Sequence, residues 1–416
     1  MKALLIVALL SVTASAADRW FKGNTHTHTL WSDGNDFPEM VIDWYVTHDY
    51  DFLALSDHNV LQAKEVWMSA AAIEKRRKAL GKPTVEKYRG RFGAGWVTMR
   101  EVEGVTEVRL KKMSEYAPLF EKPGKFLLVP AEEISASFGK VPLHMNAINL
   151  QQELKPLKAD SIPEVLRANL RAVAAQEQST GQPIMVHLNH PNFQWAITAE
   201  DIAEVVEDQF FEVYNGHKMT YCNGDEHRVG TEMLWDIANT IRLGKLKAAP
   251  LMGVATDDSH HYHGEEQSPG RGWVMVRAGK LESASLVNAM RKGDFYASSG
   301  VTLEEVKIDG ATLRVVIKGE PGVTYTTRFN GTPRDYDATT TEAKMPMSDP
   351  HPTRLNYSAD VGKVFATAEG TEAAYKLTGG ELFVRATITS SKAHGNPSFE
   401  NQVQMAWTQP CVPAGR

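Results

Sequence analysis

Two histidines, His26 and His28, stand two residues apart in Asn24-Thr25-His26-Thr27-His28-Thr29-Leu30-Trp31-Ser32-Asp33-Gly34. In an extended run both imidazoles leave by the same face, the spacing with which one metal ion takes two nitrogen ligands. Potential ligands recur wherever a short apolar run ends. Phe52-Leu53-Ala54-Leu55 ends in Ser56-Asp57-His58, and Phe126-Leu127-Leu128-Val129 in Pro130-Ala131-Glu132-Glu133. Ile184-Met185-Val186 leads to His187 and His190, and Leu251-Met252-Gly253-Val254 to Asp257, Asp258, His260 and His261. Donors at the ends of successive strands converge when the strands share one sheet or barrel, so the pattern points to a common metal site.

The elements that must position these residues follow from the intervening sequence. His144 begins the apolar run Leu143 to Leu150, which suggests a strand running the other way and a hairpin bringing Glu133 and His144 face to face. Ser161 to Gln178 has helical spacing, with Pro163 in its first turn. Ala199 to Val206 and Trp235 to Leu246 read as further helices, and Phe210 to Asn215 as another buried run. Lys64 to Lys125 is charged and helix-like, an excursion that forms a lid, a wall or a decoration. The alternation of buried runs with helices argues for an α/β barrel. Beyond Gly300, Val306 to Asp309, Leu313 to Ile317, Tyr325 to Phe329 and Leu382 to Ile388 alternate with Gly-, Asp- and Thr-rich turns, as in a small antiparallel β-sandwich-like domain.

The chain of 416 residues is 42% hydrophobic and 23% charged, room for one large and one small domain. Its net charge of -6 comes without a basic stripe, so long nucleic acid is not the expected partner. Residues 1–16 pair one lysine with an apolar stretch, Ala3 to Leu10, and small residues Ala14-Ser15-Ala16, which reads as a signal peptide and an exported protein. The apolar stretch is shorter than a membrane span of roughly 20 residues. Cys222 and Cys411 are compatible with one disulfide or with two free thiols.

The set His-x-His with Ser32-Asp33-Gly34, then Ser56-Asp57-His58-Asn59, Glu133-Ile134-Ser135, His190-Pro191 and Asp258-Ser259-His260 resembles the PHP (polymerase and histidinol phosphatase) superfamily of metal-dependent phosphoesterases over residues 20–300. Asp257 to Tyr262, Pro269-Gly270-Arg271-Gly272-Trp273 and Gly293-Asp294-Phe295-Tyr296 resemble its secreted branch, which includes carbamate-cleaving hydrolases. The resemblance implies a distorted seven-stranded (β/α) barrel over 17–300, which the charged excursion at about 64–125 interrupts as an insertion; the change of texture past Gly300 sets residues 301–416 apart as a β-rich domain. Carried over residue by residue, it implies nine metal positions: His26, His28, Asp33, His58, Glu133, His144, His190, Asp258 and His260. These would hold two or three divalent ions, zinc, manganese or iron, with Glu133 as the bridging carboxylate.

Three of these assignments have a neighbour that could replace them: Glu132 for Glu133, Asp257 for Asp258, His187 for His190. Asp57 is read as fixing backbone or the second nitrogen of a ligand. Trp31 stands where some relatives place a histidine, a departure that bears on the third metal. The implied chemistry is hydrolysis of a small anionic or ester substrate by a metal-bound hydroxide, best suited to a phosphate monoester or diester. Arg271 is a candidate fork for the substrate anion, and Asn215, His217 and His261 for orienting it or protonating the leaving group. Carbamate, ester or amide hydrolysis, processing of nucleic-acid ends, and a non-catalytic metal- or anion-binding module are the alternatives. Structural zinc sites close with four ligands, fewer than the nine candidates here.

Overall fold

The computed structural model describes residues 18–78 and 80–413. The expected leader, residues 1–16, lies outside the described residues. The fold is mixed α/β, built on one large sheet. In spatial order its first seven strands are Met252–Thr256, Phe210–Asn215, Met185–Leu188, Val141–Ile148, Leu127–Phe138, Phe52–Leu55 and Arg19–Asn24. Neighbours pair in parallel except Val141–Ile148, which runs antiparallel to both its partners, as the early placement of His144 suggested. A parallel bridge between Thr27 and Ser259 brings the first and last of the seven together beyond their carboxyl ends.

Burial explains why these short runs become central strands. All four residues of Phe52–Leu55 and all six of Phe210–Asn215 are buried, the pattern of strands covered on both faces. The helix Ile162–Thr180 covers one side with Ile162, Val165, Leu166, Leu170 and Val173. Ser161 caps it by accepting from the Glu164 N–H, a contact worth about 1 kcal/mol. Gly181 ends it in the left-handed region at φ 67°, which a residue without Cβ adopts freely.

The excursion departs from its helical expectation. Helices Ala70–Arg76, Thr84–Phe92 and Met113–Phe120 surround a three-stranded antiparallel sheet of Val66–Ser69, Val105–Leu110 and Met99–Val102. Val102 pairs with Val105 across the two-residue turn Glu103-Gly104, both at positive φ, a hairpin signal that the surrounding charges obscured. The module packs on the His26 to Asp36 loop: Arg76 donates to the carbonyls of Ser32 and Gly34, and Lys87 pairs with buried Asp36.

Past Arg19–Asn24 the sheet continues through Trp273–Ala278 and Phe295–Ser298 into Val403–Thr408, Glu381–Ala393, Tyr325–Pro333 and Lys363–Glu369. The C-terminal strands therefore extend the central sheet. A second sheet of Leu303–Asp309, Thr312–Ile317 and Glu372–Lys376 shares an apolar cluster with them, including Leu313, Val315, Phe329, Val384 and Ile388. Cys222 and Cys411 are both free thiols, which removes the disulfide alternative. Among the described residues no helix is long and apolar enough to cross a membrane.

Asp208, just ahead of the Phe210–Asn215 strand, makes a pH-dependent contribution to stability. Burial pushes its pKa up to about 7, against the pull of the Phe210 N–H and the Arg242 charge. Between pH 4 and 7 the folded chain thus holds a proton that the unfolded chain releases, so stability falls as pH rises through that window. Asp208→Asn keeps the shape and removes the burial cost of the charge. The expected gain is about 1–3 kcal/mol at pH 8 and near zero at pH 4, read from urea midpoints at both pH values. An equal gain at the two would rule out the buried carboxyl as its cause.

Candidate metal centre

At the carboxyl ends of the strands the chain folds back on itself. His28 N–H donates to the Ser259 carbonyl, Asp258 N–H to His26, and Glu133 N–H to Ser56. Gly34 closes the first loop, since a Cβ there would lie 2.6 Å from the His28 carbonyl. Asp258 and His190 sit at φ 47° and 24°, left-handed conformations that the surrounding contacts must hold in place.

All nine residues implied by the resemblance come together. His26, His28 and Glu133 form one group of possible ligand atoms, His26, His190 and Asp258 a second, and His58, Glu133 and His144 a third. His28, Asp33, His58 and His260 form a fourth, which overlaps the first through His28 and the third through His58. His26 Nε2 and His28 Nε2 are 3.1 Å apart, and each is 3.2 Å from Asp258 Oδ1. Glu133 Oε1 lies 3.5 Å from His26 Nε2, and its Oε2 3.4 Å from His28 Nε2. A tetrahedral ion with bonds of about 2.1 Å sets its ligands about 3.4 Å apart, so these donors suit a cation among them.

Glu133 occupies the middle. Its Oε1 accepts from His144 Nδ1 at 3.0 Å and Asn189 Nδ2 at 2.8 Å, with His190 Nε2 at 3.3 Å. Its Oε2 is buried without a hydrogen-bond donor, because His58 Nδ1, 2.8 Å away, is aligned with Ser135 Oγ. A buried carboxylate oxygen with no hydrogen bond depends on nearby positive charge, which a metal cation would supply. Asp33 closes the exposed side, its Oδ2 3.5 Å from His58 Nε2 and 3.4 Å from His260 Nε2.

The cluster calls for positive charge. Burial works against His58 and His260, yet Glu133 and Asp33 raise His58 to about 11, and Asp33 with Asp258 raises His260 to about 9. Burial likewise opposes ionisation of Glu133, which His58, His26 and His144 nonetheless hold well below the ordinary carboxylate range. Protons or metal ions must therefore balance the carboxylates.

The neighbouring alternatives face elsewhere, Glu132 because adjacent residues on a strand point to opposite sides, Asp257 and His187 because the chain turns through positive φ at Asp258 and His190 beyond the strand ends. Glu132 accepts from the Leu154 N–H. Asp257 accepts from the N–H groups of Gly270, Arg271 and Gly272 and from Tyr45, and so fixes the loop after the last strand. His187 is buried at the floor, 4.0 Å from Glu212, outside the four groups. Asp57 holds the first loop through Thr29 N–H, Ser32 Oγ and Gln62, the backbone-fixing role expected of it.

Of the candidates for substrate contact, His217 lines the cleft, its ring 5.3 Å from that of His260. Burial lowers it to about 4, and Nδ1 accepts from the Met219 N–H, which leaves the proton on Nε2. His261 also lines the cleft. Asn215 is buried and fully used, donating to Glu212 and to Asp258 Oδ2, so it positions a donor of the cluster. Arg271 must be corrected. Its guanidinium is buried behind the wall, donating to the Gly216 carbonyl and to Asn396, and offers no fork to an anion in the cleft.

Glu212 escaped the sequence reading and is central. Its Oε1 accepts from His26 Nδ1 at 2.7 Å and from Thr256 Oγ1, and its Oε2 from the His190 N–H. Burial favours its neutral form, but the His26 charge and hydrogen bond hold its pKa at about 2. An ionised carboxylate can only accept, so Nδ1 of His26 keeps its hydrogen, and Nε2 is the nitrogen facing the cluster that would give up its proton to a metal ion. The signal was a glutamate inside the buried run Phe210-Phe211-Glu212-Val213-Tyr214.

No protein-family model matches the chain, and no curated protein does. Among solved structures the chain is similar to PHP-like metal-dependent phosphoesterases. One is a two-domain protein from Bacteroides vulgatus containing a predicted PHP-like metal-dependent phosphoesterase, 13% identical over 94% of this chain and 95% of that one, with a TM-score of 0.41. A candidate metal-dependent phosphoesterase from Bifidobacterium adolescentis is 12% identical over 65% of this chain and 94% of its own, at 0.32. PsfC from Pseudomonas syringae is 11% identical over 65% and 87%, at 0.33. At these scores the likeness is loose.

Proposed function

We propose that the chain is an exported metal-dependent phosphoesterase of PHP type, acting on a small-molecule substrate with two or three divalent ions. The observation that carries this reading is the convergence of nine donor residues, Glu133 among them with one buried oxygen that has no hydrogen-bond donor. Zinc, manganese or iron suits such a mixed donor set. The Thr27–Ser259 bridge supports a seven-stranded barrel over 17–300, and the shared cluster of the two C-terminal sheets supports a β-sandwich-like unit over 301–416.

When bound, divalent ions lower the pKa of water to about 7 and neutralise charge on a substrate oxygen. The chain's own residues do the rest. Glu133 joins the donor groups and fixes their spacing. Glu212 sets the proton on His26 Nδ1, and Asn215 turns Asp258 inward. His217 presents Nε2–H to the cleft, where it can hydrogen-bond a substrate oxygen and steady a leaving group. The cleft, about 350 Å³, suits a small molecule, and Asp33 at its mouth would repel a long polyanion.

The retreat of Arg271 favours one second reading, attack on the carbonyl of an aryl carbamate or ester, which needs no guanidinium. Purified protein given aryl phosphate, bis-aryl phosphate and aryl carbamate, with metal removed and restored, separates the two. Turnover of a phosphate ester that chelation abolishes and metal restores is expected. Metal-dependent turnover of the carbamate alone would establish the second reading.

A further inference from the structure

Beyond the metal-type donors the cleft wall consists of Phe193, His217, Met219, Thr220, His261 and Gln267. Among the described residues lining the cleft none is Lys or Arg. Most of the cations nearby are committed elsewhere. Arg271 is bound to Gly216 and Asn396, Arg76 to the carbonyls of Ser32 and Gly34, and Lys218 lies 3.0 Å from Glu266. Lys78 acts on His261 and Glu266 from outside the wall. A substrate whose reacting head sits at the donor cluster would find no Lys or Arg in the cleft lining to meet a second anionic group, and burying such a group unpaired is costly.

What the wall does offer is the ring of Phe193, with Met219 the other apolar side chain, on a firmly built loop. The Phe193 ring centroid lies 5.3 Å from that of His190, at the edge of the cluster. Its loop is strained: Gln194 and Trp195 sit at φ 52° and 58°, and His190 before them at 24°. Such strain persists only where the surroundings enforce it. Arg354 donates to the Trp195 carbonyl at 2.6 Å and His351 Nε2 to Ala196 at 2.8 Å, both from the C-terminal region. Asn192 donates to the carbonyls of Tyr221 and Val229, and Trp195 stacks on Tyr221 with 4.8 Å between centroids. Arg228, over the Trp195 ring, shares buried Asp349 with Arg354.

We infer that this wall, centred on Phe193, is a specificity subsite for the uncharged aromatic or apolar leaving group of the ester. This rests on the phosphoester reading. It gives the C-terminal region a part in recognition, since Arg354 and His351 pin the loop that carries the ring.

Calorimetry on the metal-loaded full chain tests it with two non-hydrolysable probes that share a head, phenylphosphonate and phosphonoacetate. Phenylphosphonate should bind at least about ten-fold tighter, the effect of burying one ring in edge contact with another. Phe193→Ala should erase most of that preference, and Arg354→Ala, which frees the loop, should narrow it. Phe193→Leu serves if the alanine variant does not fold, and should leave an intermediate preference. Equal affinities in the native chain, or a preference unchanged by every Phe193 variant, would overturn the subsite while leaving the phosphoester reading intact. Binding of neither phosphonate would overturn that reading and the subsite with it.

Discussion

Asp258→Asn is expected to strip at least one cation per chain and to lower turnover by about three orders of magnitude, the scale of losing an electrostatic contact at a reaction centre. Asparagine is the informative replacement because residue 258 sits at φ 47°, which Asn tolerates nearly as well as Asp and alanine does not. The backbone is preserved while the Oδ1 charge, 3.2 Å from both His26 Nε2 and His28 Nε2, is lost. His26→Ala should behave alike, since His26 belongs to two of the donor groups. Asn215→Ala should be milder, weakening metal affinity by about 10–100-fold, because Asn215 acts on the metal through Asp258. Elemental analysis after dialysis, with turnover on the same sample, measures all three. Full metal content in both Asp258→Asn and His26→Ala would end the ligand assignment.

The donors were legible because metal chemistry restricts residue type, and strand ends restrict spacing. His26 and His28 announce an extended run, and the hairpin of Glu133 and His144 follows from the order of apolar and polar residues. The choice of Glu133 over Glu132, or Asp258 over Asp257, lay in a local pattern, and the alternating faces of a strand separate the first pair in space while the positive-φ turn at Asp258 separates the second. Arg271 shows where such reading ends. Its place in a Gly-rich loop after Asp258 suggested a substrate contact, but the direction of a long side chain depends on distant partners, here Gly216 and Asn396. Glu212 was hidden for a related reason. A charged residue within an apolar run signals a buried partner, and only the fold supplies His26 from the loop past the strand Arg19–Asn24, 186 residues away.

The same dependence on distant partners governs how the C-terminal strands are held, and the second large effect is expected there. Arg385 is buried on the Glu381–Ala393 strand and forms a two-pronged bond with Asp236 of the helix Thr231–Thr240, at 2.8 and 2.7 Å. Its remaining nitrogen donates to Glu232 and Thr387, and its guanidinium lies over Trp235. Arg385→Ala should cost about 3–5 kcal/mol, because it strands a carboxylate in the interior and leaves a hole beside an aromatic ring. That figure measures the break, not the worth of the pair. A double variant, Arg385→Met with Asp236→Leu, removes both charges and refills the space, so it should recover most of the loss. Because the C-terminal strands extend the central sheet, denaturation of every variant should proceed in one transition with its midpoint shifted. Urea curves followed by two probes decide this. A loss below about 1 kcal/mol for Arg385→Ala would match an exposed pair and contradict the buried contact. Two separate transitions would mean that the shared sheet does not couple the regions, and would leave Arg354 and His351 too loosely held to pin the cleft wall.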